Sequence, residues 1–321
     1  MAGEDRRGAE HTMTVRAPVE RVYGLVAAAE DWPRVFPPLV HVDCLERTGR
    51  RDVIRVWTVA DGEPRGCVSR RVLAPDRRCI GFRREMPAPP LAFLGGRWEF
   101  EPVSARECRV RLLHEYRAVD DDPRQLARIG RTVVRRARAE LEALRRSAEL
   151  GVRGHELLLS FEDSVRIAGS ADDAYAFVRE AQLWSERLPS AGGAGTVLTT
   201  TTRVCGRTPR GWGRADGTGR DAGRNGTVRV CFPPRRIVYK QTRLPELLSL
   251  HTGSWVFTPC GGTVTATSRH TVVVDPAAIG AVLGAGAGVA QAKDAVRSVL
   301  RADSRLTLRY AKEYAEARCS R

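Results

Sequence analysis

"VRAPVERVYGLVAAAEDWPRVFP" fills residues 15–37, and "IAGSADDAYAFVREAQLWSERLP" fills residues 167–189. A constant offset of 152 lays Val22 on Ala174, Val26 on Val178, Trp32 on Trp184 and Pro37 on Pro189. The match continues downstream. "RVLAPDRRCIGF" (71–82) answers "RVCFPPRRIVY" (229–239), and "LAFLGGRWEF" (91–100) answers "LSLHTGSWVF" (248–257). Arg71 to Trp98 is 27 residues and Arg229 to Trp255 is 26; Trp98 to His114 is 16 and Trp255 to His270 is 15. A repeat of this length decides the architecture before any single element does. The chain reads as two copies of one unit, residues 1–150 and 155–321, with the joint near 148–160.

Each unit begins with a short alternating strand, "HTMTVRA" or "EDSVRIA", followed by a helix. Ser170 with Asp173 makes a capping pair for the second of these helices, and Pro18 sits at the first turn of the first. In the first copy strands are expected at 52–59, 66–74, 78–85, 94–102 and 107–117. A long helix closes each unit, opened by Asp122-Pro123 and by Asp275-Pro276, an acid cap followed by proline. Leu126, Ile129, Val133, Ala137, Leu141 and Leu144 then recur at spacings of three and four, an apolar stripe facing a sheet. The expected class is α+β: two tandem helix-grip (START-like) domains, each a curved antiparallel sheet wrapped around its C-terminal helix. A ligand cavity belongs between sheet and helix.

At 321 residues two cores of about 150 residues are the ordinary outcome. Hydrophobic content of 42% suits globular packing, and no apolar run nears the roughly 20 residues of a membrane span. The charged start "MAGEDRRGAEHTM" lacks a secretory core, so a cytoplasmic protein without membrane attachment is expected. Eight cysteines show neither a CxxC pair nor zinc spacing and read as reduced thiols. The net charge of +15 comes from 53 basic residues of which only Lys240, Lys293 and Lys312 are lysine. They are spread over both halves without a nucleic-acid motif, so an acidic protein partner is preferred to nucleic acid.

The strand at 66–74 puts Cys67, Ser69 and Arg71 on one face and Arg70 on the other. Alternation alone leaves the inward face undecided, but Thr227 and Arg229 repeat the hydroxyl and the arginine, whereas Arg70 faces Val228 in the second copy. Solvated strand arginines remain the alternative. Trp32, Trp98, Trp184 and Trp255 read as either core or pocket wall, and His114 and His270 as structural histidines. No GxSxG, HExxH or Walker loop occurs. "GTGRDA" (217–222) and "GAGAG" (284–288, inside a helical stretch) lack the strand–turn–helix setting of a nucleotide loop. No metal and no cofactor is implied.

Taken together, "WPRVFPPLVHVD", "SRRVLAPDRR", "LGGRWEFEP", "RLLHEYRAVDDDP", "VRVCFPPRRIVYKQT" and "LHTGSWVFTP" resemble the didomain aromatase/cyclases of bacterial type II polyketide synthases, over nearly the whole chain. The resemblance implies an enzyme that directs first-ring aldol closure and dehydration of a ketoreduced poly-β-ketone in antibiotic-type biosynthesis. The chain would be carried by an acidic acyl carrier protein, alongside other synthase components. It also implies pocket positions at Ser69 and Arg71, at Thr227 and Arg229, at Trp32 and Trp98 with Trp184 and Trp255, and at Arg84. An arginine keeps its proton, so Arg71 is expected to hold an oxyanion and Ser69 to relay a proton or water.

The chain departs from the family at Cys67, where relatives place tryptophan, and at Leu39, where some place tyrosine. It departs more at 190–226: residues 206–226 hold seven glycines and five arginines in 21 positions. An insertion and an out-of-frame segment are both open there. A noncatalytic carrier of polyketide or lipid, and a split of roles with the second domain as scaffold, are the competing functions.

Overall fold

The computed structural model describes residues 6–60, 63–180, 183, 200–205 and 225–319. The chain divides into two compact units, residues 1–58 with 65–152 and residues 153–321 with 59–64. The first holds a seven-stranded sheet in the order β1-β7-β6-β5-β4-β3-β2. Its strands are β1 (Arg7–Val15), β2 (Leu39–Thr48), β3 (Arg51–Ala60), β4 (Glu63–Ala74), β5 (Cys79–Glu85), β6 (Leu91–Ser104) and β7 (Glu107–Ala118). Two short helices, α1 (Val19–Ala27) and α2 (Trp32–Val35), cross between β1 and β2, and α3 (Pro123–Leu157) closes the unit. The second sheet runs β8-β13-β12-β11-β10-β9. It comprises β8 (Leu158–Ile167), β9 (Thr200–Cys205), β10 (Asn225–Phe232), β11 (Arg236–Gln241), β12 (Leu248–Cys260) and β13 (Thr263–Val274). Its helices are α4 (Ala171–Arg179), α5 (Ile279–Leu283) and α6 (Val289–Cys319).

Local chemistry accounts for the elements. In β13 almost every second side chain is buried, the signature of one face turned to a core. Asp122 caps α3 by accepting from the Arg124 backbone N–H at 2.8 Å. The stripe from Ile129 through Val133, Ala137, Leu141 and Leu144 is buried as its spacing predicts. Gly151, at φ 56°, breaks the helix near its end. The Ser170 hydroxyl accepts from the Asp173 N–H at 3.0 Å, so α4 starts where its cap is written.

Three readings of the sequence change. The strand β2 buries only Val40 and Val42, both in its first half, and escapes notice. The Asp275-Pro276 pair opens a turn and the short α5, and the long helix begins only at Val289. The reason is "GAGAG": Gly284 and Gly286 take φ 97° and 98°, which breaks the helical stretch expected there. Finally, β9 runs parallel to β10, so the second sheet is antiparallel over five strands and not at this edge.

Each sheet packs one face on its helices. Val15, Val22, Val26, Ile80, Trp98, Phe100, Leu112, Leu141 and Leu144 share the first core. Ile167, Phe177, Val178, Ile237, Trp255, Phe257, Leu308 and Ala311 share the second. No helix is long and apolar enough to cross a membrane among the described residues.

Candidate active site

Arg71 lies in the middle of the first sheet with 1% of its surface exposed. A buried guanidinium needs acceptors on several sides, and this one finds them. Its Nε donates to Asp52 Oδ1 at 2.9 Å and one terminal nitrogen to Asp52 Oδ2 at 2.6 Å. The terminal nitrogens also donate to the carbonyls of Val26 at 2.9 Å and Ala27 at 3.0 Å, at the end of α1. Trp32 lies beneath the charge, 5.1 Å from ring centre to guanidinium carbon, and its own Nε1–H donates to the Val26 carbonyl. Ser69 donates to the backbone carbonyl of Arg83 at 3.2 Å. Four of the five donors of the expected oxyanion holder thus meet protein acceptors, on β3 and at the end of α1. In the second unit Arg229 is equally buried and donates to the carbonyl of Val178, the counterpart of Val26.

The chemistry gathers elsewhere. His270, on β13, is the centre of a buried network. Its Nδ1 lies 3.0 Å from the Tyr239 hydroxyl and 3.0 Å from His251 Nε2. Its Nε2 lies 3.1 Å from Ser304 Oγ and 3.3 Å from Ser268 Oγ. Ser304 donates its own proton to the Leu300 carbonyl at 2.7 Å, so its oxygen accepts from His270 Nε2–H. That assigns the ring proton to Nε2 and leaves Nδ1 as the acceptor. Burial holds both imidazoles neutral, pulling His270 down to about 4 and His251 to about 3, and raises the Tyr239 phenol.

Tyr239, His251, His270 and Ser304 line a cavity of about 40 Å³ between sheet and helix, with Asp303 and Thr307 from α6. That is room for a few water molecules, so a ring-sized ligand enters by displacing part of the lining. Two of its buried polar atoms, Thr227 Oγ1 and Gln241 Oε1, have no hydrogen-bond partner among the described residues. They face each other across β10 and β11.

Sheet register gives the first unit's counterparts. His114 pairs with Gly96 as His270 pairs with Gly253. Phe82 pairs with Gly96 as Tyr239 pairs with Gly253. Leu112 faces Trp98 as Ser268 faces Trp255. Leu94 precedes Trp98 by the four residues that separate His251 from Trp255.

The helices carry their own marker. Glu149 accepts from the Arg16 N–H at 3.1 Å, and Glu316 accepts from the Ala168 N–H at 2.8 Å. An offset of 167 thus relates α3 to α6, placing Ala137 on Ser304, Arg136 on Asp303 and Glu140 on Thr307. Arg138 acts on His11 electrostatically as Arg305 binds Asp163 at 2.9 Å, which fits the same offset. All four polar neighbours of His270 are therefore apolar around His114: Phe82, Leu94, Leu112 and Ala137. The Nδ1 of His114 is buried without a hydrogen-bond partner among the described residues, and burial pulls the ring down to about 4.

The other expected positions divide. Arg84 lies opposite Ser69 on the interior face, in contact with the Cys67 thiol, whose pKa burial raises. Trp98 belongs to the first core, stacked on Phe100 at 6.4 Å. Trp255 is also core but shows an edge to the second cavity. Trp184 lies outside the described residues, as does most of 190–226. A wider depression of about 470 Å³ on the first sheet is lined by Arg77, Arg97 and Arg111. Its Arg97 and Arg111 are ion-paired with Glu99, and burial raises the thiol of Cys79, which also lines it.

Sequence reading missed Asp52, His251, Tyr239 and Ser304. An acid inside the apolar run "DVIRVW" was the available signal for the first, since a buried arginine calls for one. The network has no sequence signal of its own, because it joins three strands and a helix.

Comparison with known proteins agrees with the two-unit fold. The family described as "Polyketide cyclase / dehydrase and lipid transport" matches residues 6–149. The granaticin polyketide synthase bifunctional cyclase/dehydratase of Streptomyces violaceoruber is 40% identical over 96% of this chain and 94% of its own. The actinorhodin polyketide synthase bifunctional cyclase/dehydratase of Streptomyces coelicolor is 41% identical over 94% of each. The crystal structure of the di-domain ARO/CYC BexL from the BE-7585A biosynthetic pathway superposes with a TM-score of 0.80 at 46% identity, covering 97% of this chain and 99% of that one. With two helix-grip units in tandem and this similarity along its length, the chain belongs to the didomain aromatase/cyclases, the bifunctional cyclase/dehydratases of type II polyketide synthases.

Proposed function

We propose that the His270 network is the dehydration machinery of this cyclase/dehydratase, acting on the first ring of a ketoreduced poly-β-ketone delivered by an acidic acyl carrier protein. One observation carries the reading: His270 Nδ1 stands 3.0 Å from both the Tyr239 hydroxyl and His251 Nε2. Aldol closure leaves a hydroxyl beta to a carbonyl, and aromatisation begins when that hydroxyl leaves as water. The carbon between the two groups carries an acidic hydrogen. His251 takes that proton, the C–H electrons form the new double bond, and the C–O bond breaks. Tyr239 gives its phenolic proton to the departing hydroxyl. His251 takes the carbon's proton on Nδ1, and its Nε2 proton passes through His270 Nδ1 to the Tyr239 oxygen, which restores the phenol and returns His251 to neutrality as its other tautomer. No charge accumulates over the cycle, as suits groups that burial keeps neutral.

Arg71 and Arg229 serve this chemistry by fixing α1 and α4 to the sheets, not by touching the reacting carbons. The net charge of +15 favours an acidic carrier. The test is product analysis by mass spectrometry in a reconstituted minimal synthase with ketoreductase. A Tyr239→Phe chain is expected to accumulate a ring-closed product one water heavier than the wild-type product. Normal product at normal rate from Tyr239→Phe and from His251→Leu would remove the assignment.

A further inference from the structure

The closing helix of the first unit carries five arginines in a single row. Arg124, Arg128, Arg131, Arg135 and Arg138 follow one another at alternating spacings of four and three, which keeps them on one face of α3. The row runs about 21 Å along the helix, at 1.5 Å per residue. It lies opposite the buried stripe of Ile129, Val133, Ala137 and Leu141, and all five arginines are exposed. Each step along it sets two like charges side by side. Arg124 stands in the first turn, at the positive end of the helix dipole, and no acid shares that turn. None of the five has an ion-pair partner among the described residues. Further along the same face the ordinary pattern returns: Glu142 accepts from Arg145 at 2.7 and 3.0 Å, and Glu149 pairs with Arg145 at 2.9 Å.

The second unit shows that the fold does not require such a row. With the offset of 167 the five positions become Gln291, Ala295, Ser298, Ala302 and Arg305, and Arg305 is bound by Asp163 at 2.9 Å. The basic residues of α6 fall on other positions and have acids beside them, Arg297 with Asp294 at 3.0 Å and Arg309 with Glu313 at 3.8 Å. One of two equivalent helices therefore keeps a self-repelling face that its own unit does not neutralise.

We propose that the arginine row of α3 is the face on which the acidic carrier protein docks, its occupant an acidic helix laid along α3 with carboxylates at matching spacings. The proposal rests on the carrier reading above. Each guanidinium can take a carboxylate through two parallel hydrogen bonds, so five in a row select a run of acids and not a single one. The ends of the row favour a short helix over a continuous polyanion. Asp120, Asp121 and Asp122 precede it and Glu142 follows it, carboxylates that a nucleic-acid backbone running past either end would meet. The carrier is thus received on the first unit, and α6 offers no equivalent face.

Surface plasmon resonance tests this with the full chain and an immobilised holo-acyl carrier protein of a type II polyketide synthase, at about 50 mM salt. Arg124→Glu combined with Arg131→Glu turns the repulsions with Arg128 and Arg135 into attractions. That chain is expected to melt about 2 °C higher than wild type and to bind the carrier at least about tenfold more weakly, mainly through slower association. A gain in stability beside a loss in affinity separates a lost contact from a lost fold. Arg297→Glu combined with Arg309→Glu changes the net charge equally on the second unit and is expected to hold affinity within about twofold. Unchanged affinity in the α3 pair, or equal weakening by both pairs, overturns the docking face and leaves the carrier reading standing. No binding by the wild-type chain removes both. A short single-stranded RNA that binds the wild-type chain as tightly as the carrier does, and is lost in the α3 pair, overturns the acidic helix in favour of nucleic acid.

Discussion

Arg71 and Asp52 form a bidentate ion pair with 1% and 3% of their side chains exposed, and neither can lose the other cheaply. Truncating one partner leaves an uncompensated charge in the interior, which costs about 3–5 kcal/mol. Arg71→Ala and Asp52→Ala are each expected to lower the unfolding free energy of the first unit by that amount, read as a fall in its urea midpoint. A catalytic arginine would instead lower turnover and leave the midpoint in place. The histidines give a second prediction at this scale. His251 and His270 have pKa values depressed from 6.5 to about 3 and about 4, so below pH 6.5 the unfolded chain binds protons that the folded chain refuses. Stability is then whole above pH 6.5 and falls as pH drops toward 4. His251→Leu, which copies Leu94, is expected to flatten that acid limb in urea unfolding measured at about pH 7 and about pH 5.

At the scale of the element, paired strands set the network's geometry through one glycine each. A Cβ on Gly253 would lie 2.3 Å from the Tyr239 hydroxyl and 2.4 Å from the Arg269 carbonyl; on Gly96 it would lie 2.0 Å from the Leu113 carbonyl. Gly253→Ala is expected to push the Tyr239 ring aside, raising the yield of undehydrated product as Tyr239→Phe does and lowering the melting temperature as well. The repeated glycine before each tryptophan is visible in the sequence, and so are the strands, the caps at Ser170 and Asp122, and the stripe of α3. Those features are local: each depends on residues a few positions apart. The partners of Arg71 and His270 are not local. Asp52 lies 19 residues from Arg71 and Ser304 lies 34 from His270, so only the closed sheet and its helix bring them together. The two arginines invited a catalytic role because residue type and repetition were legible while their acceptors were not.

For the whole molecule, duplication was the most legible property, since an offset that holds over dozens of residues needs no structure to be seen. A net charge of +15 adds an expectation at this scale. Affinity for an acidic carrier protein should fall steeply as salt rises from about 50 to about 300 mM, because the Debye length shrinks over that range. Surface plasmon resonance at several salt concentrations reads it directly, and a flat response would mean that apolar contacts dominate docking. The contacts of Glu149 and Glu316 with the first strand of their own units reach further. They act as a shared datum, so every side chain in one half has a named address in the other. Phe82→Tyr, Leu94→His, Leu112→Ser and Ala137→Ser would copy the relay into the first unit at known coordinates. One polypeptide thus supplies both the template and the blank for redesigning its own chemistry.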